Sequence, residues 1–264
     1  MTSLLFSPPV GARLLRGHPI NRGLVGCWLL NEGGGQIFKD IAGVNDGSGV
    51  GGPISSPGIY GNAVKCNGSS QYVTLPAFNK TFASATITGW FNSVPNNNSY
   101  IGGVYSRGSN GGPGMGFGYA SGGAKQLGYQ WGLTDYAWNS GLFLPDNLWT
   151  FVALAVSPSG AIMYMNLQSA SNTLSEPPIT FNGSMEIGTD ASALATRSFN
   201  GLINNVRFYD RALPAQEIAQ LYAQPFAGLA MPARRSYSAP ASSSIVFRRT
   251  LSAQGARVGS RQSM

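Results

Sequence analysis

Turn-forming residues interrupt this sequence so often that no long helix fits between them. From residue 85 to 209, Pro95-Asn96-Asn97-Asn98, Asn110-Gly111-Gly112-Pro113-Gly114, Ser121-Gly122-Gly123, Ser157-Pro158-Ser159-Gly160 and Asn182-Gly183 punctuate the chain. Such clusters end regular structure, because they favour positive φ, fixed φ or local side-chain hydrogen bonds over ladders. The runs between them, 85–92, 100–105, 116–119, 126–131, 148–156, 161–168, 184–188 and 202–209, are short and rich in β-branched and aromatic residues. Many short strands so spaced predict an all-β protein, a two-sheet antiparallel sandwich or jelly roll. The 36 glycines and the 10% charged content of the 264 residues agree with a turn-rich β chain. The last run leads into something different. Leu202, Asn204, Val206 and Phe208 alternate with Ile203, Asn205, Arg207 and Tyr209. After a turn, Pro214 suits the first turn of a helix, and Ile218, Leu221 and Tyr222 give that short C-terminal helix one apolar face.

The wording of that stretch, FNGLINNVRFYDRALPAQEIAQLY at 199–222, resembles the closing segment of the laminin-G-like jelly rolls of the concanavalin A-like lectin/glucanase superfamily, G-x-I-D-E-V-R-I-Y-N-R-A-L-S-x-E-E-I. GLVGCWLLNEGGG at 23–35 is similar to the family's opening strand and turn, with Arg22, Trp28, Asn31 and Glu32 in matching places. GNAVKCNGSSQYVTLP at 61–76 is similar to its next signature, where Asn67 and Gln71 stand at the two aspartates. The resemblance covers about residues 20–225 and implies one jelly-roll domain. His18-Pro19-Ile20-Asn21-Arg22 before the domain and Met231-Pro232-Ala233-Arg234-Arg235 after it also resemble laminin-G-like proteins encoded by tailed bacteriophages and prophages.

Charge divides the chain into three parts. Residues 1–22 carry Arg13, Arg16 and Arg22 and no acid, a net +3; residues 23–227 carry eight cations and all ten carboxylates, a net −2. Residues 228–264 carry Arg234, Arg235, Arg248, Arg249, Arg257 and Arg261 and no acid, a net +6. The expected organisation is therefore an extended basic arm (1–22), the jelly roll (23–227) and an arginine-rich tail (228–264). Every cation in both ends is arginine, the side chain suited to bidentate pairing with carboxylate or phosphate. Tyr237, Ile245, Val246 and Phe247 interleave with Arg234, Arg235, Arg248 and Arg249, a composition of protein interfaces more than of nucleic-acid arms, which are denser in charge. Sister subunits or another virion protein are the expected partners. No apolar run reaches the ~20 residues of a membrane span, and the first residues do not read as a secretion signal.

Most chemistry is excluded by spacing. Hydrolases of the family place carboxylates as E-x-D-x-E, because retaining glycoside cleavage needs an acid and a nucleophile ~5 Å apart. No two carboxylates here stand at i, i+2; the nearest pair is Glu186 and Asp190. His18 is the single histidine, which rules out a Ser-His-Asp triad in the core and any multi-histidine metal site. Cys27 and Cys66 are expected as buried thiols, with a disulfide left open. The resemblance implies Ca²⁺, but amides at Asn67, Gln71, Asn204 and Asn205 replace family carboxylates. At most a weak Ca²⁺ site at Asp40 and Asp46 is expected, and no other cofactor. For sugar binding, Trp138, Tyr136, Asp135 and Asn139 form the candidate set, because aromatic faces stack on sugars while Asp and Asn take their hydroxyls. Trp131 and Trp138 have an equally structural alternative, as cover for a core strand and a sandwich edge.

Taken together, these residues predict a non-enzymatic structural protein on the surface of a phage particle, a capsid decoration or auxiliary protein anchored through its arms. A carbohydrate-binding or adhesin module for host-surface glycans is the alternative, and a glycoside hydrolase a remote one.

Overall fold

A computed structural model of the chain describes residues 8, 11–95, 101–106, 113–117, 125–131, 138, 140–190 and 194–230. These belong to one compact unit, Met1–Pro232; Ala233–Met264 forms a second unit by itself and lies outside the described residues, as does every tail position named above. The strands are β1 (Arg13–Leu14), β2 (Leu24–Trp28), β3 (Ile37–Phe38), β4 (Gly47–Val50), β5 (Ile54–Gly58), β6 (Gly61–Asn67), β7 (Tyr72–Leu75), β8 (Lys80–Phe82) and β9 (Ala85–Ser93). They continue as β10 (Ile101–Ser106), β11 (Gly114–Phe117), β12 (Leu127–Gln130), β13 (Trp149–Ser157), β14 (Gly160–Met165), β15 (Gln168–Asn172), β16 (Ile179–Phe181), β17 (Met185–Ile187), β18 (Asn200–Tyr209) and β19 (Leu229–Ala230). Two helices, α1 (Leu194–Arg197) and α2 (Ala215–Ala223), complete the described elements with one 3-10 turn at Pro19–Asn21.

Two antiparallel sheets make the expected jelly-roll sandwich. One has seven strands in the order β12-β11-β10-β17-β7-β4-β3; the other has eight, β15-β14-β13-β9-β18-β6-β5, with β2 also paired to β18. The main core lies between them. Val104, Met115, Tyr129, Ile187 and Val73 from the first sheet meet Phe91, Val152, Leu154, Met163 and Phe208 from the second. Period-two alternation accounts for the rest of the eight-stranded sheet: Trp90, Phe151, Ala153, Tyr164 and Tyr209 point outward and are covered by Ile218 and Leu221 of α2. Pro214 stands at the N-cap of α2, one place before the first turn where the sequence put it. In β2, the Trp28 ring lies across Gly26, where any Cβ would collide with it.

Strict alternation along β18 fails at one point. Asn204 is paired with Trp90 and Arg207 with Thr88, so Asn205 and Val206 together oppose Gly89. Asn205 takes φ 49°, a left-handed conformation that asparagine tolerates better than most side chains. This bulge moves the pattern by one residue. Ile203, not Leu202 or Asn204, shares the core with Val206 and Phe208, while Arg207 turns to the opposite side.

The domain boundaries also differ from those expected. Residues 11–22 are not a free arm: β1 pairs with β19, Leu15 N–H donates to the Gly228 carbonyl at 2.7 Å, and Ile20 is buried under α2. Ala12 and Leu229 pack with Cys27, Leu29 and Phe226 in a third cluster. The physical reason is apolar: the segments flanking the expected domain carry residues that complete its core, which their arginines obscured. The domain therefore begins before Gly23 and ends after Ala227.

Candidate functional site

The seven-stranded sheet turns its second face away from the core, and one row of that face is largely polar over six strands, ending against exposed Ile37 of β3. Gln130 is aligned with Gly114, Gly114 with Tyr105, Tyr105 with Glu186, Glu186 with Thr74, and Thr74 with Ser48. Short strands of alternating character build it. In β17, Met185 and Ile187 enter the core and Glu186 points the other way; in β12, Leu127 and Tyr129 enter and Gln130 does not. Gly114 lacks the side chain that would occupy the position of the Tyr105 ring. The Tyr105 hydroxyl donates to Gln130 Oε1, and Ser184 Oγ donates to Glu186 Oε1. Tyr105 and Glu186 are buried, whereas Gln130, Thr74 and Tyr72 are half-buried. The Tyr72 hydroxyl pKa is pushed up, first by burial and then by the Glu186 charge.

Glu186 is the single acidic residue in the seven strands of this sheet. Its sequence neighbour Asp190 is engaged elsewhere, with Arg197 Nη1 at 2.7 Å. The two acids that came nearest to a catalytic pair in sequence are thus given separate tasks, and the row offers one carboxylate rather than the two that glycoside cleavage uses.

Of the sugar-binding candidates named from sequence, Tyr136, Asp135 and Asn139 lie outside the described residues. Trp138 is half-buried, edge-on to Tyr129 with ring centroids 5.6 Å apart, at the β12 end of the same sheet. Tyr129 in turn donates to Glu176 and accepts from Asn172 Nδ2. Trp131 closes the core against Phe181 and donates its Nε1–H to the Pro177 carbonyl. Sequence reasoning missed Tyr105, Gln130 and Tyr72, and weighed Glu186 only as half of a catalytic pair. The usable signal was the Met185-Glu186-Ile187 alternation, an acid facing out between two core residues.

The residues that would hold the family's Ca²⁺ do not fit one. Asp40 accepts N–H bonds from Cys27, Ala42 and Asn45, and Asp46 accepts from the Asp40 amide. Hydrogen bonding from Lys39 holds the Asp46 carboxyl below its usual range. Asn67 Oδ1 accepts three consecutive amides, Ser69, Ser70 and Gln71, closing a turn. Asn204 Nδ2 donates to the Leu29 and Asn62 carbonyls, and Asn205 Nδ2 to that of Pro225. Asp40, Asp46 and Asn67 oxygens occupied by N–H donors, and Asn204 and Asn205 amides aimed at carbonyls, are a folding device, not a cation cage. Among the described residues, no three His, Cys, Asp or Glu side chains are grouped for a metal. Cys27 and Cys66 are free and buried, and burial pushes their thiols up to about 11 and about 12. His18 Nδ1 accepts the Ile20 amide, a local cap.

Comparison with known proteins agrees with this architecture. A family model described as the concanavalin A-like lectin/glucanases superfamily matches residues 67–219. The chain belongs to that superfamily. Domain 4 of AbnA, a GH43 extracellular arabinanase from Geobacillus stearothermophilus solved in complex with arabinotriose, superposes with a TM-score of 0.62 at 19% identity, covering 75% of this chain and 98% of that one. A Trypanosoma rangeli sialidase in complex with sialic acid gives a TM-score of 0.54 at 20% identity, over 78% of this chain and 34% of the sialidase. The binding domain of Paraclostridial Mosquitocidal Protein 1 gives 0.57 at 16% identity, over 78% of this chain and 53% of the other. The chain thus spans about a third of that sialidase and half of that binding-domain structure. At these identities the likeness shows a lectin-like fold. No curated protein matches the chain.

Proposed function

We propose that this member of the concanavalin A-like superfamily is a non-catalytic carbohydrate-binding module, and that it meets sugars with the polar row of its seven-stranded sheet. The observation that carries the reading is the row itself: half-buried Gln130 and Thr74 flank buried Tyr105 and Glu186, with half-buried Tyr72 two residues from Thr74 on the same strand and one carboxylate in the strands of the sheet. Tyr72 would offer a ring to sugar C–H groups, and Gln130 and Thr74 would take hydroxyls. Tyr105 and Glu186 position them from below. The fold neighbour solved with arabinotriose supports a neutral oligosaccharide as the first ligand class to try.

The test is a glycan array and calorimetry with arabino-oligosaccharides and sialosides on the full chain, alongside a reducing-sugar assay on a polysaccharide panel. We expect binding, a loss of about tenfold or more in Tyr72→Ala and Gln130→Ala, since one stacking or hydrogen-bonding group is removed in each, and no sugar release. Release of reducing sugar that disappears in Glu186→Gln overturns the non-catalytic reading. Binding unchanged in both variants overturns the surface.

A second reading, the phage-particle structural protein anchored by its ends, is favoured by the segregation of charge between a −2 domain and acid-free arginine segments. In that setting the protein would lie on the virion surface, with sister subunits or a capsid protein as partners. Deleting 231–264 would then abolish incorporation into particles while leaving the domain folded; normal incorporation would remove this reading.

A further inference from the structure

The pairing of β1 with β19 brings the beginning and the end of the domain together, and it does so at a basic surface. Arg13, Arg16 and Arg22 are all exposed, and none forms a salt bridge among the described residues. They stand within ten residues of one another, in a segment without a carboxylate. Asp210, which follows β18 and meets Gly23, is already used by Lys80, and Glu217 of α2 by Arg211. Between Arg16 and Arg22 is an open depression of about 460 Å³ lined by Leu14, Leu15, Arg16, His18, Pro19 and Arg22, with Arg13 one residue before its lining. Leu15 is 40% exposed, a large apolar side chain left facing water in a depression it shares with Arg16 and Arg22.

The depression is rigidly built. Asn21 Nδ2 donates to both the Leu15 carbonyl (3.1 Å) and the Gly228 carbonyl (2.8 Å), tying its wall to the chain end. Gly228 has φ 81°, and a Cβ there would collide with Ile20 and Asn21. Beneath it, Ile20 and Leu229 are buried. A pre-formed wall reduces the ordering entropy that a partner must overcome on binding. From Ala230 the chain continues into a sequence with arginines and no acid.

We propose that this junction of the two chain ends is a docking surface for an acidic segment of a partner protein, one in which Asp or Glu alternates with large apolar residues. The carboxylates would pair with Arg13, Arg16 and Arg22, whose planar guanidinium groups suit bidentate pairing. An apolar side chain between them would cover Leu14 and Leu15. Leucines lining the depression favour such a peptide over a nucleic acid, whose phosphate backbone has no use for an apolar floor. The inference is independent of glycan binding, which is assigned to the seven-stranded sheet.

The test uses the full chain and a fluorescent peptide of repeated Glu-Glu-Leu, followed by anisotropy, with a Lys-Lys-Leu peptide and a single-stranded oligothymidylate as comparisons. We expect the acidic peptide to bind and the lysine peptide not to, with affinity falling as salt rises. Replacing Arg13, Arg16 and Arg22 together by Ser should weaken the acidic peptide at least about tenfold, because all three local charges go while those beyond Ala230 stay. Leu15→Ser should weaken it with the salt dependence unchanged. The substituted positions are exposed, and an unchanged melting temperature verifies folding. Undiminished binding by the triple variant overturns the proposal, as does the absence of acidic-peptide binding. Tighter binding of the oligothymidylate at the same salt concentration overturns it in favour of a nucleic-acid surface.

Discussion

Arg207 is where a single side chain does most for this fold. It is fully buried, yet among the described residues it donates to carbonyl and amide oxygens and to no carboxylate. Its guanidinium donates to the Pro225 carbonyl (2.6 Å), the Ala227 carbonyl (3.1 Å) and Asn205 Oδ1 (3.3 Å), pinning the chain that follows α2 onto β18. Backbone carbonyls are fixed dipoles, so several of them compensate a charge that the low dielectric would otherwise expel. Arg207→Ala is expected to destabilise the domain by roughly 3–5 kcal/mol, because charge-assisted bonds worth ~1.5–3 kcal/mol each disappear. Urea unfolding measures this. Arg207→Lys should recover only part, since an ammonium cannot span the same three acceptors. A loss under about 1 kcal/mol in Arg207→Ala would mean that water replaces the guanidinium, and that the segment after α2 is held by its apolar residues alone.

At the scale of elements, the β18 bulge decides which residues face the core. If Asn205 took a regular place in the ladder instead of bulging, Val206 and Phe208 would turn outward and Arg207 inward, inverting the polarity of the central strand. Asn205 serves three ways: its backbone accepts φ 49°, its Nδ2 donates to the Pro225 carbonyl at 2.7 Å, and its Oδ1 accepts from Arg207 Nε. Asn205→Gly keeps the conformation and loses both side-chain hydrogen bonds, the one to Pro225 and the one from Arg207 Nε, so it should cost about 1–3 kcal/mol. Asn205→Val loses the same bonds and adds a β-branched side chain in a left-handed backbone, which should cost at least about 1–2 kcal/mol more. The order of the two melting temperatures is the readout; Val equal to Gly would show that the bulge relocates.

On the scale of the whole molecule, the segments on either side of the expected domain complete it. Ile20 and Leu229 are both buried, and large apolar side chains contribute ~1.5–3 kcal/mol each when fully buried. A chain trimmed to 23–227 should therefore be less stable by about 3–6 kcal/mol than one trimmed to 11–230, which keeps the β1–β19 pair and the cluster around Phe226. The 11–230 chain should melt close to the full-length protein, since Ala233–Met264 is a separate unit. Thermal unfolding of the three chains side by side decides this, and equal stability of 23–227 and 11–230 would show that the terminal strands only decorate the sandwich.

How far the sequence reached depended on the range of the interaction. Turn clusters, period-two runs and the Ile218/Leu221/Tyr222 face are local, so the all-β sandwich and its single amphipathic helix were legible from neighbours a few residues apart. The opening Trp28 and closing Val206–Phe208 motifs carried the superfamily for the same reason. What was not legible involves partners far apart in the chain. Arg13 finds Ala230 and Asn204 finds Leu29 across about two hundred positions, and nothing in either local pattern announces the other. The polar row is of this kind as well: Gln130, Tyr105, Glu186 and Thr74 come from four strands, and become one surface only when hydrogen-bond register aligns them. Sequence by itself determined the elements and the family, because those follow from steric preference and apolar spacing along the chain. Tertiary structure alone decided the β18 register, the true ends of the domain and the candidate site, because each is set by which strands pair and which residues that pairing places side by side.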